Sequence, residues 1–366
     1  MEPPQRSMVR TPHKSVLVQR RSKSRSYRQS YRSCSGGPSR LCLTPALTAR
    51  RLNTSRRPPK SQDITDKLKA EHLALLVKTR WKLSYVTPLY RFRHTQLRSY
   101  SRQLSAFIAA EQQRGVAVEV EGTQSGFRVS FSMLQGLASA ENDDPETVLI
   151  QVHSKPLLSR QDEPQKLVWS GWLTCISGNP EYLSSLPRDF TCLPLFGSSG
   201  ADGLTSVVKS WIQQTFDCCL GRLELNHTTL QWLLALWTNC HAQSNIQQLN
   251  MVWTLPSAPP LQVSFTVDPQ DAWDLWRSVR KASAQEEEEE EEESCIDVEE
   301  VTRFLHGLKS HFYRHFRLEL SAGSLSQVGT ALGWAAVSGR IKMSSSRYVV
   351  TTLALLTECA LLKMPI

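Results

Sequence analysis

Four runs in the first half of the chain mostly alternate apolar and polar residues at a period of two, and no other feature constrains the fold as strongly. They are Val116-Ala-Val-Glu-Val120, Phe127-Arg-Val-Ser-Phe131, Val148-Leu-Ile-Gln-Val152 and Leu167-Val-Trp-Ser-Gly-Trp-Leu-Thr-Cys175. Successive side chains of a strand point to opposite faces, so each run describes a half-buried strand of an antiparallel sheet. Ahead of them, Leu68, Leu73, Leu75, Leu76, Val77, Trp81 and Leu83 predict an amphipathic helix over about 64–81. An extended stretch follows around Pro88, because the residue before proline is pushed out of the α region. Leu97, Tyr100, Leu104, Phe107, Ile108 and Glu111 predict a second helix, ended by Gly115.

The second half repeats the mixture after Pro/Gly-rich loops at 177–188 and 197–203. Helices are expected near 204–219, 229–240, 297–315 and 347–362, with strands near 246–255, 261–267, 317–321, 325–337 and 340–344. Asp268-Pro269 is a helix start, with Asp as N-cap and Pro in the first turn. Hairpin-length connections between strands argue for an α+β fold, with packed helices on curved antiparallel sheets. The expected organisation is a disordered basic tail over 1–60, an α+β domain over 61–200 and a second over 201–366. An acidic insertion at 283–295 interrupts the second.

Charge separates these parts. Residues 1–60 carry fifteen of the 43 Lys and Arg against the single acid Glu2, so the tail is at +14 and the rest of the chain at −5, which together give the net +9. Rich in Ser, Arg and Pro and without apolar periodicity, that segment cannot bury enough surface to offset its ordering entropy. Its clusters Arg20-Arg21-Ser-Lys23-Ser-Arg25 and Arg56-Arg57-Pro-Pro-Lys60 are of the nuclear-import or nucleic-acid-binding type. Thr11 and Thr44, each followed by Pro, are candidate phosphorylation sites. Glu286 to Glu293 form an unbroken acidic run, read as a solvated insertion.

Several classes fall away. The apolar stretch from Tyr348 to Leu362 is 15 residues long and contains Glu358, short of a membrane span. No apolar leader opens the chain, and nine Cys without a spacing framework suit a reducing compartment. Gly197-Ser-Ser-Gly200 lacks nucleophile-elbow spacing, and no phosphate-cradling or dinucleotide-binding glycine motif is present. His311 and His315 have metal-ligand spacing but no accompanying Glu, and Arg314 lies between them. Cys218-Cys219, His227, Cys240 and His241 read as core thiols and structural histidines rather than a ligand set. No catalytic residue, metal or cofactor is therefore assigned. Basic residues within the ordered part are more suggestive: Arg91, Arg93, Arg98 and Arg102 gather around the second helix, and Arg314 and Arg317 close a later one. Arg340-Ile-Lys342 places two charges on one face of a strand. Such groups would bind phosphates without reading sequence.

Longer runs carry a resemblance. Trp81-Lys-Leu-Ser-Tyr-Val-Thr-Pro-Leu-Tyr-Arg-Phe92, Tyr100-Ser-Arg-Gln-Leu-Ser-Ala-Phe-Ile-Ala-Ala-Glu111 and Gly115-Val-Ala-Val-Glu-Val120 are three of them. Trp169-Ser-Gly-Trp172, Asp189-Phe-Thr-Cys-Leu-Pro-Leu-Phe196, Thr215-Phe-Asp-Cys218 and Ser310-His-Phe-Tyr-Arg-His-Phe316 follow in the same order. Over about 61–366 the chain resembles the centromere protein L family; the eight-Glu run has no counterpart in the family pattern. The resemblance implies a non-enzymatic scaffold subunit of the constitutive centromere-associated network, in the nucleus at the centromere and inner kinetochore. Implied partners are centromere protein N, joined by continuing a sheet between chains, centromere protein C, the H-I-K-M group, and the centromeric nucleosome with its DNA. The fold would be similar to that of a bacterial ring-forming DNA-binding protein, with DNA held in a basic channel. On that reading Lys166, Arg340 and Lys342 are channel candidates, and 325–337 and 340–344 are candidate edge strands. Leu325, Val328, Leu332, Trp334 and Ile341 are then the candidate partner contacts. Two other readings compete: a nucleic-acid binder acting alone through residues 1–60, and a degenerate hydrolase around His227, Cys240 and His241.

Overall fold

The structure, a computed structural model, describes residues 70–113, 126–134, 136–137, 145–155, 165–239, 248–283, 296–346 and 348–364. All belong to one compact unit. The helices among them are α1 (Ala70–Lys78), α2 (Leu97–Gln113), α3 (Pro180–Ser185), α4 (Asp202–Phe216), α5 (His227–Asn239), α6 (Pro269–Ser283), α7 (Val298–Phe316) and α8 (Val349–Lys363). The strands are β1 (Arg80–Val86), β2 (Leu89–Tyr90), β3 (Gly126–Leu134), β4 (Thr147–Lys155), β5 (Lys166–Thr174), β6 (Phe190–Thr191) and β7 (Leu195–Gly200), followed by β8 (Leu220–Arg222), β9 (Leu249–Leu255), β10 (Leu261–Val267), β11 (Ser324–Gly329), β12 (Gly333–Ala336) and β13 (Arg340–Met343). Expectations for 116–120, Gly115, Cys240, His241, Thr11, Thr44 and the acidic run fall outside the described residues.

One eleven-stranded sheet runs in the order β10-β9-β11-β12-β13-β1-β7-β5-β4-β3, with β8 also paired to β1. Every pairing in it is antiparallel, as α+β patterning implies. β1 is the joint. On one side it pairs with β7; on the other, Arg80–Lys82 meet β13 and Ser84–Val86 meet β8.

The sheet buries its two faces differently. One face packs Trp81, Leu83, Leu149, Trp172, Met251, Trp253, Leu325, Val328 and Ile341 against α1 and α5 to α8. The other packs Val148, Ile150, Val152, Trp169, Leu173 and Phe196 against α2 and α4. Indole N–H groups tie strands and helices together. Trp81 Nε1 donates to the Leu76 carbonyl at 3.0 Å, Trp169 Nε1 to Thr205 Oγ1 at 2.9 Å, and Trp237 Nε1 to Thr352 Oγ1 at 3.2 Å.

The helix expected over 64–81 is shorter where it is described, because β1 takes over at Arg80. Trp81 and Leu83 lie on the core side of a strand, with Lys82 between them, so two periodicities meet within a few residues. The stretch 197–203, read as loop, begins inside β7. Gly197 is there because the Trp172 ring fills its side-chain space; a β-carbon would lie 2.3 Å from that ring. Asn179 caps the short α3 within the loop expected at 177–188, accepting from Glu181 N at 3.0 Å. No strand forms at 317–321, since Arg317 takes a left-handed conformation at the C-terminus of α7. The single strand expected over 325–337 is a hairpin, β11 and β12, turning at Thr330, whose N–H donates to the Gly333 carbonyl at 2.8 Å.

α6 and α7 form a hairpin whose connection is the acidic insertion. Asp268 Oδ1 accepts from Gln270 N at 2.8 Å, the expected cap. Asp297 and Glu300 form a capping box, and buried Glu300 also faces Arg280 Nε at 3.6 Å. Asn239 Oδ1 accepts from both Trp276 Nε1 and Arg280, at 2.8 and 3.0 Å, so this clasp closes three helix ends at the base of the insertion.

Candidate nucleic-acid interface and open sheet edge

Register places the site. Residues opposite one another in an antiparallel pair share a face. Arg80 lies opposite Lys342, and Lys82 opposite Arg340. Lys342 is also opposite Trp334, which is opposite Gly329, which is opposite Asn250. This outer face continues over Gln327, Val252, Thr254, Gln262, Ser264 and Thr266 to the end of the sheet. None of these residues belongs to either core cluster. Half the sheet therefore turns a polar face outward beside α4, while its other side holds the helices.

Four cations sit in two cross-strand pairs on that face. Like charges directly opposite in a sheet are destabilising, by a few tenths of a kcal/mol or more per pair. Arg80 stacks over Trp334 at 5.3 Å. Lys82 is ion-paired with Asp202 at the start of α4, and this holds the Asp202 carboxyl below the usual carboxylate range, through the hydrogen bond first and the charge second. Lys209 donates to Ser84 Oγ at 2.7 Å; burial first, and the Lys82 charge second, lower its pKa. Arg222, opposite Ser84, is 3.9 Å from Glu224. Arg80, Arg340 and Lys342 have no ion pair within 4.0 Å among the described residues. Four cations with the single carboxylate Asp202 beside them, which pairs with Lys82 and also feels the Arg340 charge, leave this face net positive and arranged to meet a polyanion.

Asp202 is the internal competitor for that role. The pair is exposed on both sides, so its own contribution to stability is about 0–1 kcal/mol. Asp202→Asn should leave the melting temperature nearly unchanged and tighten polyanion binding roughly two- to threefold at low salt. Titration of a labelled duplex checks this; weaker binding would show that Asp202 positions Lys82 rather than masking it.

The structure brings Arg340 and Lys342 together and adds Arg80, Lys82 and Lys209 to them. Arg80-Trp-Lys82 carries the same alternate-residue signal as Arg340-Ile-Lys342, but the signal is hidden where that segment is read as helix. Lys166 is not in the cluster. Following the register Arg340–Lys82–Ser198–Gly171, it lies three strands over, roughly 14 Å, and five residues farther along β5.

The expectation of edge strands at 325–337 and 340–344 is corrected by the sheet order. β11, β12 and β13 each have neighbours on both sides, because β9 and β10 add beyond β11 and β1 closes the other flank. Leu325, Val328 and Ile341 are fully buried in the chain's own core, Leu332 is buried, and Trp334 stands on the outer face. Among the described residues the ends of the main strand path are β10, paired only to β9, and β3, paired only to β4, while the three-residue β8 is paired only to β1. Leu261 on β10 is 53% exposed. Phe316, 57% exposed at the end of α7, lies 6.4 Å from Phe265 of β10, with Tyr313 and Leu318 also exposed nearby in sequence.

Burial pushes the Cys218 thiol up to about 12, with Cys219 and Asp217 adding to the effect, the opposite of an activated nucleophile. The His311 and His315 rings lie 4.5 Å apart, and His311 packs on Phe265. No group of three or more His, Cys, Asp or Glu among the described residues is placed to hold a metal.

Comparison with known proteins gives one answer. The family model for centromere protein L matches residues 75–361. Centromere protein L of Danio rerio is 53% identical over 360 residues, covering 98% of this chain and 94% of the relative. The Gallus gallus protein of the same name is 40% identical over 83% of this chain and 84% of its own length. That of Homo sapiens is 37% identical over 84% and 86%.

Proposed function

The chain belongs to the centromere protein L family, and from that premise we propose that it is a non-enzymatic scaffold of the inner kinetochore. It joins centromere protein N through the open edge of β10 and lays duplex DNA against the outer face of β1 and β13. With centromere protein C and the H-I-K-M group it anchors the centromere-associated network on centromeric nucleosomes, in the nucleus, for chromosome segregation.

The observation that carries this reading is that, among the described residues, one sheet combines an end strand paired on one side only with a cationic outer face beside α4. An exposed edge strand must be paired or protected, and strand addition supplies backbone hydrogen bonds without a preformed pocket. Leu261 and Phe316 offer apolar anchors beside that edge, so a partner strand gains side-chain burial as well. The DNA contact needs only phosphate-binding cations, which the register of β1 and β13 provides in pairs.

Amide hydrogen exchange on the full chain tests the partner edge. Among the described residues, no strand pairs with the outward amides of Leu261–Val267. On adding centromere protein N, alternate amides there should slow by at least about tenfold, while those of β3 stay as they were. Protection at β3 alone, or at neither edge, would reject β10 as the joining strand.

A further inference from the structure

One row of the outer face carries more than charge. Across five strands it reads Asn250, Gly329, Trp334, Lys342, Arg80. We infer that this row binds single-stranded nucleic acid, with an unpaired base stacking on the Trp334–Arg80 pair and the adjacent phosphates on Lys342 and Arg340. The inference rests on the reading above that this face takes nucleic acid, and it sharpens which kind.

Trp334 is the reason. Duplex DNA presents phosphates to a flat sheet and keeps its bases stacked inside, so it would use the cations and gain little from an indole. Yet Trp334 is half-buried on the outer side and outside both core clusters, and among the described residues its indole makes no hydrogen bond that would hold it for the fold. Its neighbour Gly329 supplies room: a β-carbon there would stand 3.3 Å from Trp334 Cδ1, so the indole leans over the strand where another residue would prop it up. The Arg80 guanidinium lies over the ring. A base stacks on an aromatic ring or on a guanidinium plane, and every base has a π-face, so the platform is tolerant of sequence.

The surroundings fit a strand with its bases splayed. Lys342 is directly across from Trp334, and Arg340 is two residues, about 6.8 Å, farther along β13. On the other side of Gly329 stands exposed Asn250, whose amide oxygen accepts from Ser264 at 3.3 Å. Gln327 and Thr254 continue the polar surface toward β10. An outward-facing aromatic beside cations on an antiparallel sheet is a general solution for holding unpaired bases.

Fluorescence anisotropy on the full chain tests it, using one labelled 15-nucleotide sequence as single-stranded DNA, single-stranded RNA and duplex DNA. Trp334→Ala should weaken single-strand binding roughly 5- to 100-fold and leave duplex binding within about twofold. Trp334→Phe should recover most of the loss. The RNA and DNA arms show whether the 2′-hydroxyl is used. Ultraviolet cross-linking of the single strand should place the adduct on the peptide containing Trp334, a readout independent of the basic tail. Equal weakening of single-strand and duplex binding by Trp334→Ala, or no weakening of either together with no adduct at Trp334, would overturn the inference. Wild-type protein that binds duplex but no single strand would overturn it alone. Wild-type protein that binds neither would overturn the reading of the face itself.

Discussion

Arg340→Glu combined with Lys342→Glu should make the protein slightly more stable and nearly unable to hold DNA. Both residues face cations across the strand pair, Lys82 and Arg80, so the two repulsive contacts become two attractive ones. Cross-strand opposite charges contribute about 0.2–1 kcal/mol per pair, which predicts a small rise in melting temperature. Asp202 keeps its partner Lys82 but loses the attraction of the Arg340 charge, which offsets part of the gain, and Arg80 keeps Trp334. The effect on binding is the reverse and far larger. Each lost phosphate contact forfeits about 0.9 released counterions, worth roughly fivefold at 0.15 M salt. Removing two contacts, repelling phosphate with two new carboxylates and tying up Arg80 and Lys82 should lower duplex affinity by about 10²- to 10³-fold. Thermal unfolding and duplex titration on the same preparation separate the two quantities. A fall in stability would mean that the four cations are arranged differently from the register; unchanged affinity would mean that DNA lies elsewhere.

Gly339→Ala is expected to be the most damaging small substitution in the sheet. Gly339 ends the β12–β13 turn at φ +70°, where a side chain is strained by about 1–2 kcal/mol. The greater problem is space. A β-carbon would stand 2.1 Å from the Leu223 carbonyl oxygen, and backbone cannot swing away as a side-chain tip can. The turn is also clasped from both sides: Leu83 N donates to the Gly339 carbonyl at 2.7 Å, and Leu225 N to the Val337 carbonyl at 3.2 Å. Relief of the clash must part β13 from β1 or push residues 223–225 outward, so a loss of about 3–4 kcal/mol is expected. Urea unfolding measures it. A loss below about 1 kcal/mol would show that this corner is loosely held.

The mixture of helices and antiparallel strands could be read from the sequence because those signals are local. α2, α4, α5 and α7 declare themselves by apolar spacing, and Asp268-Pro269 by capping chemistry. β1 was obscured because a leucine-rich helix runs to within two residues of it, and β7 because glycine at 197 serves close packing rather than a turn. What the chain could not display is the order of its strands. β1 comes first in sequence yet lies between β13 and β7, and pairing across more than 250 residues leaves no periodic trace. For the same reason Arg340 and Lys342 could be placed on one face, while Arg80 and Lys82 opposite them, the loss of Lys166 from the group, and β10 as the open edge required the fold.

The salt dependence of duplex binding by the complex with centromere protein N tests the central claim most directly. A plot of log affinity against log salt should be shallower for the Arg340→Glu, Lys342→Glu protein than for the wild type by about 2–4 units, since each phosphate contact contributes roughly 0.9 to the slope. Parallel lines for the two proteins would contradict the account: DNA would then be held by surfaces other than the face that β1 and β13 share.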